Sequence, residues 1–406
     1  MAIVAGEECA ASPSPRRGGS VSEVFLAFLR LGCTSFGGPV AHLGYFRQEL
    51  VVRRRWLDDS AFAELVGLCQ FLPGPASSQV CFGIGLSRAG ALGGPAAWVA
   101  FGLPSVLLMF GFAMVAGQLG GPVAAAAIHG LKVAAVAIVA QALIGMARSL
   151  APDMRRRLLA LAAGALMLLT GLPAMQVAVI AAGAVAGLVL CRQQGPALPP
   201  DRGWSPSRRT GLACLGLCGL LFLALPLLGR LSAGAAFAAI LFRAGALVFG
   251  GGHVVLPLLR SGLVPHWMSD ATFLAGYGAA QALPGPLFTI GAYLGAEALP
   301  HTPAIAALLG ALALSAPGLL LLAGVLPFRR RLGESTTLRS AIAGINAVVV
   351  GILGAALYDP LWKTGILGPL DAAIAIAGCA ALAVARIPPL LLIAAITTLE
   401  VAASLL

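Results

Sequence analysis

Long apolar stretches alternate with short polar ones along this chain. Apolar runs cover roughly 91–118, 122–147, 156–190 with a Gly-Leu-Pro break, 211–229, 303–328, 341–358 and 371–404. A helix needs about 20 such residues to cross a bilayer core about 30 Å thick, so these runs predict membrane spans. Two shorter regions behave differently. An amphipathic run, Ser60–Phe71, and a small-residue run, Ala76–Arg88, are separated by Leu-Pro-Gly-Pro. Proline removes an amide donor and disfavours helix in the residue before it, so this tetrapeptide predicts a break.

The breaks occur twice. Phe28–Pro39 (FLRLGCTSFGGP) reappears as Leu241–Gly252 (LFRAGALVFGGG), and Gln70–Pro75 (QFLPGP) as Gln281–Pro286 (QALPGP). Trp56, Asp59, Phe62 and Gly67 face Trp267, Asp270, Phe273 and Gly278, and later Pro104, Gly130 and Pro173 face Pro317, Gly344 and Pro388. The chain therefore divides into a polar segment 1–21, a membrane domain 22–190, a Pro/Arg-rich linker with an extra apolar helix 191–238, and a second membrane domain 239–406. Duplicated bundles with paired breaks are a sign of secondary transporters.

Composition agrees: mean hydropathy is +0.95, with 59% hydrophobic and 10% charged residues, which excludes a soluble globular domain. The net charge of +11 is not a nucleic-acid signal, because the arginines cluster at Arg53–Arg55, Arg155–Arg157, Arg192–Arg209 and Arg329–Arg331, each beside an apolar run. They mark cytoplasmic loops. After the third apolar element, copy one has the uncharged Gln118–Pro122 where copy two has Phe328–Arg339 with four arginines. One element later the sign swaps, between Arg148 with Arg155–Arg157 and Tyr358–Asp371. Equivalent loops on opposite faces predict inverted halves. Inversion needs an odd number of crossings between the copies. Five result if the Phe-Gly-Gly and Leu-Pro-Gly-Pro regions each dip in and return. The total lies between nine and thirteen.

The candidate chemistry sits at the breaks. A helix restarting after Pro73, Gly74 and Pro75 turns free N–H groups inward, an anion-binding arrangement, with the hydroxyls of Ser77 and Ser78 in its first turn and Gln70 ahead of the break. Pro284, Gly285 and Pro286 form the second such place, preceded by Gln281, with Thr289 as its hydroxyl. The other reading is a packing turn. Phe36, Gly37 and Gly38, echoed by Gly250 and Gly251, permit a second break or close helix approach. Six residues earlier stand Arg30 and Arg243 inside apolar runs, where a buried guanidinium is costly and pairs with something; snorkelling to a head group is the alternative. Lys132, facing Asn346, either holds an anion or anchors at the interface. Glu64 and His129 are candidates for proton coupling, although an amphipathic surface face explains Glu64 as well. No His/Cys/Asp/Glu spacing indicates a catalytic or metal site, and neither cofactor nor disulfide is expected.

FGGP at Phe36–Pro39 with Arg30 ahead, the Arg53–Asp59 run RRRWLDD and QFLPGP at Gln70–Pro75 resemble the chromate ion transporter family in its long two-domain form. The resemblance covers nearly the whole chain. It implies an all-α polytopic protein of the bacterial inner membrane, built from homologous halves of opposite orientation, that exports chromate, with sulfate as an analogue. Gly252 stands where copy one has Pro39, and no basic run precedes Trp267, so the second half departs from the pattern. Uptake or exchange of sulfate or another anion is the transport alternative, and a membrane-embedded lipid phosphatase the enzymatic one. A homodimer is compatible with such a chain.

Overall fold

A computed structural model describes residues 18–116, 121–170, 173–191, 206–249, 252–329, 335–385 and 387–405; Gly250 and Gly251 lie outside them. The described residues are helical, without strands. In the first copy the helices are α1 (Val21–Thr34), α2 (Gly38–Phe46), α3 (Asp59–Phe71), α4 (Ala76–Ala116), α5 (Pro122–Leu150), α6 (Met154–Thr170) and α7 (Pro173–Leu190). Next comes α8 (Arg208–Leu228). The second copy has α9 (Ala233–Ala246), α10 (Val255–Leu263), α11 (Asp270–Ala282), α12 (Ile290–Ala298), α13 (Pro303–Val325), α14 (Thr336–Ala356), α15 (Pro369–Ala380) and α16 (Pro389–Ser404). Five of these segments are long and apolar enough to cross a membrane, beginning at Ala76, Ala125, Arg208, Pro303 and Thr336.

The elements around the breaks are too short to cross. Helix α3 has 13 residues, about 20 Å at a rise of about 1.5 Å per residue. Its end is set by Leu72, which adopts extended backbone ahead of Pro73, as a pre-proline residue must. The chain then turns through Gly74, whose φ of 126° suits glycine, and α4 runs back beside α3, with Gly83 against Leu65. Helix α4 is itself two legs, because Ala89 and Gly90 leave helical geometry (Gly90 φ 67°). Gly85 on the first leg then lies against Gly93 on the second.

Copy two repeats this path. Helix α11 ends at Leu283 in the same extended geometry, Gly285 turns with φ 99°, and Tyr293 of α12 returns to donate its hydroxyl to Thr272 O at 3.0 Å. Gly291 and Gly295 then pack on Gly310 and Ala306 of α13. Helices α1 and α2 form a third, wider hairpin around Phe101, through the Phe28–Phe46 (5.6 Å) and Phe46–Phe101 (5.0 Å) ring pairs. In copy one the chain thus reverses direction at both the Phe-Gly-Gly and the Leu-Pro-Gly-Pro region.

The copies are interlocked. Helix α5 packs mainly on α15 and α16 of the other copy, and its counterpart α14 packs on α6 and α7. Gly130 of α5 approaches the Thr397 backbone, and Gly344 of α14 approaches Gly183 and Gly187. Each copy therefore completes the other's core.

Candidate translocation site

The two Leu-Pro-Gly-Pro turns meet the Phe-Gly-Gly region of the opposite copy, reciprocally. Gly74 N–H donates to Val248 O at 2.7 Å, and Gly285 N–H donates to Ser35 O at 2.8 Å. Ser35 and Val248 occupy equivalent positions just ahead of Phe36 and Phe249. A second pair of contacts repeats the relation. The Gln79 side-chain amide donates to Pro73 O (3.0 Å) and across to Gly318 O of α13 (2.9 Å). Ser105, the equivalent of Gly318, donates its hydroxyl to Pro284 O. Part of the backbone polarity exposed by each break is thereby satisfied from the other copy, as irregular backbone buried within a membrane protein requires.

Helix α4 restarts directly after the first turn. Its first backbone bond is Gln79 N–H to Pro75 O at 2.9 Å, so the amides of Ala76, Ser77 and Ser78 have no acceptor inside the helix. Ser77 and Ser78 are buried, and Ser78 Oγ, Gln79 Oε1 and Ser35 Oγ are buried without a hydrogen-bond partner among the described residues. The helix start and the two serines thus lie together, as the sequence placed them, with the acceptor oxygen of Gln79 beside them. The second turn differs: Leu287–Thr289 is a single 3₁₀ turn, and Thr289 Oγ1 donates back to Pro286 O at 2.8 Å. Its preceding Gln281 instead joins His253 (3.4 Å), which pairs with Tyr277 Oη at 3.0 Å. Gln70, its equivalent, is exposed.

The arginines require a correction. Arg30 and Arg243 are exposed, not enclosed in the bundle. Helix α1 turns Val24, Ala27, Phe28 and Leu31 inward, which places Arg30 on the opposite face, and Arg243 occupies the last turn of α9, where the helix dipole favours a cation. Arg30 lines a groove of about 270 Å³ with Thr34, Tyr45, Gln48 and Glu49. In that groove burial pushes the Glu49 carboxyl up, but Arg54 and Arg53, at 2.7 and 3.0 Å, outweigh this and leave its pKa below the usual value.

Glu64 is also corrected. It is buried, not part of an exposed face, and pairs with Arg329 beyond α13 at 3.1 Å, joining the copies. Lys132 and Asn346 are half-buried on α5 and α14, and Asn346 Oδ1 lacks a hydrogen-bond partner among the described residues. His129 faces Asp371 at 3.2 Å.

Sequence reading passed over one repeated pair. Arg47 Nε meets Asp59 Oδ1 at 2.7 Å, and the equivalent Arg260 Nε meets Asp270 Oδ1 at the same distance. Asp59 and Asp270 are aligned in the repeat, but the arginines stand 12 residues before the first and 10 before the second, so no single spacing marks the pair. The Arg260 pair lines a cavity of about 460 Å³ with Gln176 and Asp359, reached by residues from both copies. Gln176 is 2% exposed, and its Nε2 lacks a partner among the described residues.

The chromate transporter family matches this chain twice, over residues 22–188 and 235–401. The chain belongs to that family. It is 30% identical over 354 residues to the chromate transport protein of Pseudomonas aeruginosa, covering 84% of this chain and 81% of that one. It is 28% identical to the chromate transport protein of Cupriavidus metallidurans (83% and 82% covered), and 24% identical to an uncharacterized transporter of Methanocaldococcus jannaschii (83% and 84% covered). No solved structure matches it. The protein is thus an all-α, multi-pass membrane transporter of two homologous halves.

Proposed function

We propose that this transporter exports chromate, and that the anion passes where the two Leu-Pro-Gly-Pro turns cross. The observation carrying this reading is the restart of α4, with three amides free of helical acceptors beside Ser77 and the unpartnered hydroxyls of Ser78 and Ser35. Such a set of fixed donors matches a tetrahedral oxyanion. Arg30 in its groove gathers the anion on one side, and the Arg260 cavity with Gln176 receives it on the other. Chromate is taken from the family and from the names of the two bacterial relatives; sulfate shares the shape and charge.

The chain path supports inverted halves. The hairpins leave and return to one face; the second leg of α4, then α5, α6, α7 and α8, make five crossings before copy two begins. With α13, α14, α15 extended by the π-helical turn to Ala385, and α16, the total is nine crossings, four of them in helices shorter than the five long apolar ones. Arg53–Arg55, Arg155–Arg157 and Arg329 then share one face, which the positive-inside rule makes cytoplasmic. Export follows from the membrane potential: a dianion leaving a cell that is negative inside gains about 4.6 kcal/mol per 100 mV. The interlock means that the moving bodies are not the two sequence copies.

The test is radiolabelled chromate uptake into everted vesicles at a set potential. Saturable uptake that rises with inside-positive potential supports export. Uptake of sulfate with chromate excluded would replace the substrate, and potential-independent flux would remove the electrogenic mechanism.

A further inference from the structure

Helices α5, α15 and α16 bring three side chains together that the crossing of the turns does not use. His129 Nε2 lies 3.2 Å from Asp371 Oδ2. Glu400 completes the group, and one ligand atom from each residue falls within 4.8 Å of the others. The residues are half-buried or buried. Asp371 is held in place because its Oδ2 also accepts the Leu367 N–H at 2.7 Å. Glu400 Oε1 and, one turn earlier on α16, Thr397 Oγ1 are buried and lack hydrogen-bond partners among the described residues.

An imidazole and two carboxylates on three helices offer more negative charge than the local hydrogen bonds satisfy. Burying a carboxylate oxygen without a partner is costly. A divalent cation answers all of this at once. Ligand atoms of a tetrahedral site with bonds of about 2.0–2.1 Å stand roughly 3.3 Å apart, close to the His129–Asp371 separation. The imidazole favours a first-row transition metal over magnesium or calcium, which take oxygen ligands in larger numbers. Leu367 N–H supplies the outer hydrogen bond that fixes a ligating carboxylate.

We propose that His129, Asp371 and Glu400 bind a divalent transition-metal ion that ties α5 of the first copy to α15 and α16 of the second. The site lies near the outer ends of these helices, on the face opposite Arg155–Arg157. It is separate from the crossing of the turns, so chromate transport and metal binding stand or fall independently.

The experiment uses the full chain purified in detergent, stripped with chelator, and titrated with Co²⁺ followed by visible absorption. One Co²⁺ per chain, displaced by Zn²⁺, is expected. His129→Gln, Asp371→Asn and Glu400→Gln should each weaken binding at least tenfold, while His266→Ala, at an exposed position, leaves it unchanged. The variants are near-isosteric, and monodisperse elution is checked first; if one aggregates, the remaining two decide. Absence of saturable Co²⁺ binding by the wild type overturns the proposal, as does binding that survives all three substitutions or is lost in His266→Ala.

Discussion

Arg30 and Glu64 have exchanged the places that residue type alone assigns them. The arginine lies open in a groove and the carboxylate is enclosed. Guanidinium presents a planar fork to an oxyanion, whereas ammonium is a point charge. If Arg30 gathers the anion, Arg30→Lys should slow chromate uptake several-fold and Arg30→Ala should abolish it, at unchanged protein level in the membrane. Wild-type rates for the lysine variant would return Arg30 to a head-group anchor, since either side chain snorkels. Glu64 invites a stability measurement. Both members of its pair with Arg329 are about nine-tenths buried, and removing one partner of such a pair costs about 3–5 kcal/mol. Glu64→Ala should therefore melt well below the wild type in detergent, while Glu64→Leu with Arg329→Met recovers most of the loss. Equal melting of wild type and Glu64→Ala would mean that the pair holds nothing together. The exposed place of Arg30 agrees with the head-group alternative, whereas that of Glu64 was not legible from sequence, because its partner Arg329 lies in the other copy.

At the scale of elements, the breaks were the most legible feature, since Leu-Pro-Gly-Pro excludes continuous helix on local grounds alone. What it met was not legible. Hydrogen bonds such as Gly74 to Val248 and Gly285 to Ser35 join residues far apart in sequence, and only the equivalence of the copies hinted that they would be reciprocal. The same distance hid the His129–Asp371–Glu400 group, whose members come from three helices. Two variants separate the break from its contacts. Pro73→Ala with Pro75→Ala lets α3 run toward α4 and removes the helix start; chromate resistance should fall while the protein still inserts. Full resistance would reduce the turn to packing. Gly285→Ala leaves both prolines but places a methyl on Ser105 Oγ at a φ of 99°, at a cost on the order of 1–3 kcal/mol. It should lower both melting temperature and transport, and adding Ser105→Gly should restore part of the stability by removing the clash but not the strain. No recovery would mean that the strained backbone dominates.

For the whole molecule, the interlock changes what inversion means. Charge alternation along the loops was enough to predict opposite orientation, because the positive-inside rule acts on each loop locally. It could not show that α5 would leave its own copy to pack on α15 and α16, nor that α14 would do the converse. Two rigid halves rocking against each other would have to pull these helices out of their partners' cores. The smaller cluster around Phe28, Phe46 and Phe101 offers a different division, since it gathers α1–α4 with the end of α13 and leaves the interlocked helices in the larger cluster. Orientation itself is open to direct labelling. Single cysteines at Arg156 and Arg329, on a background without native cysteines, should react only with membrane-permeant maleimide in intact cells, and those at Asp359 and Gly365 with the impermeant reagent as well. Arg156 and Asp359 sit at equivalent turns, one element after α5 and α14. Parallel halves would put that pair on one face, whereas inverted halves separate it. Labelling of Arg156→Cys and Asp359→Cys from the same side would therefore end the inverted reading and, with it, the single cytoplasmic face assigned to the arginine clusters.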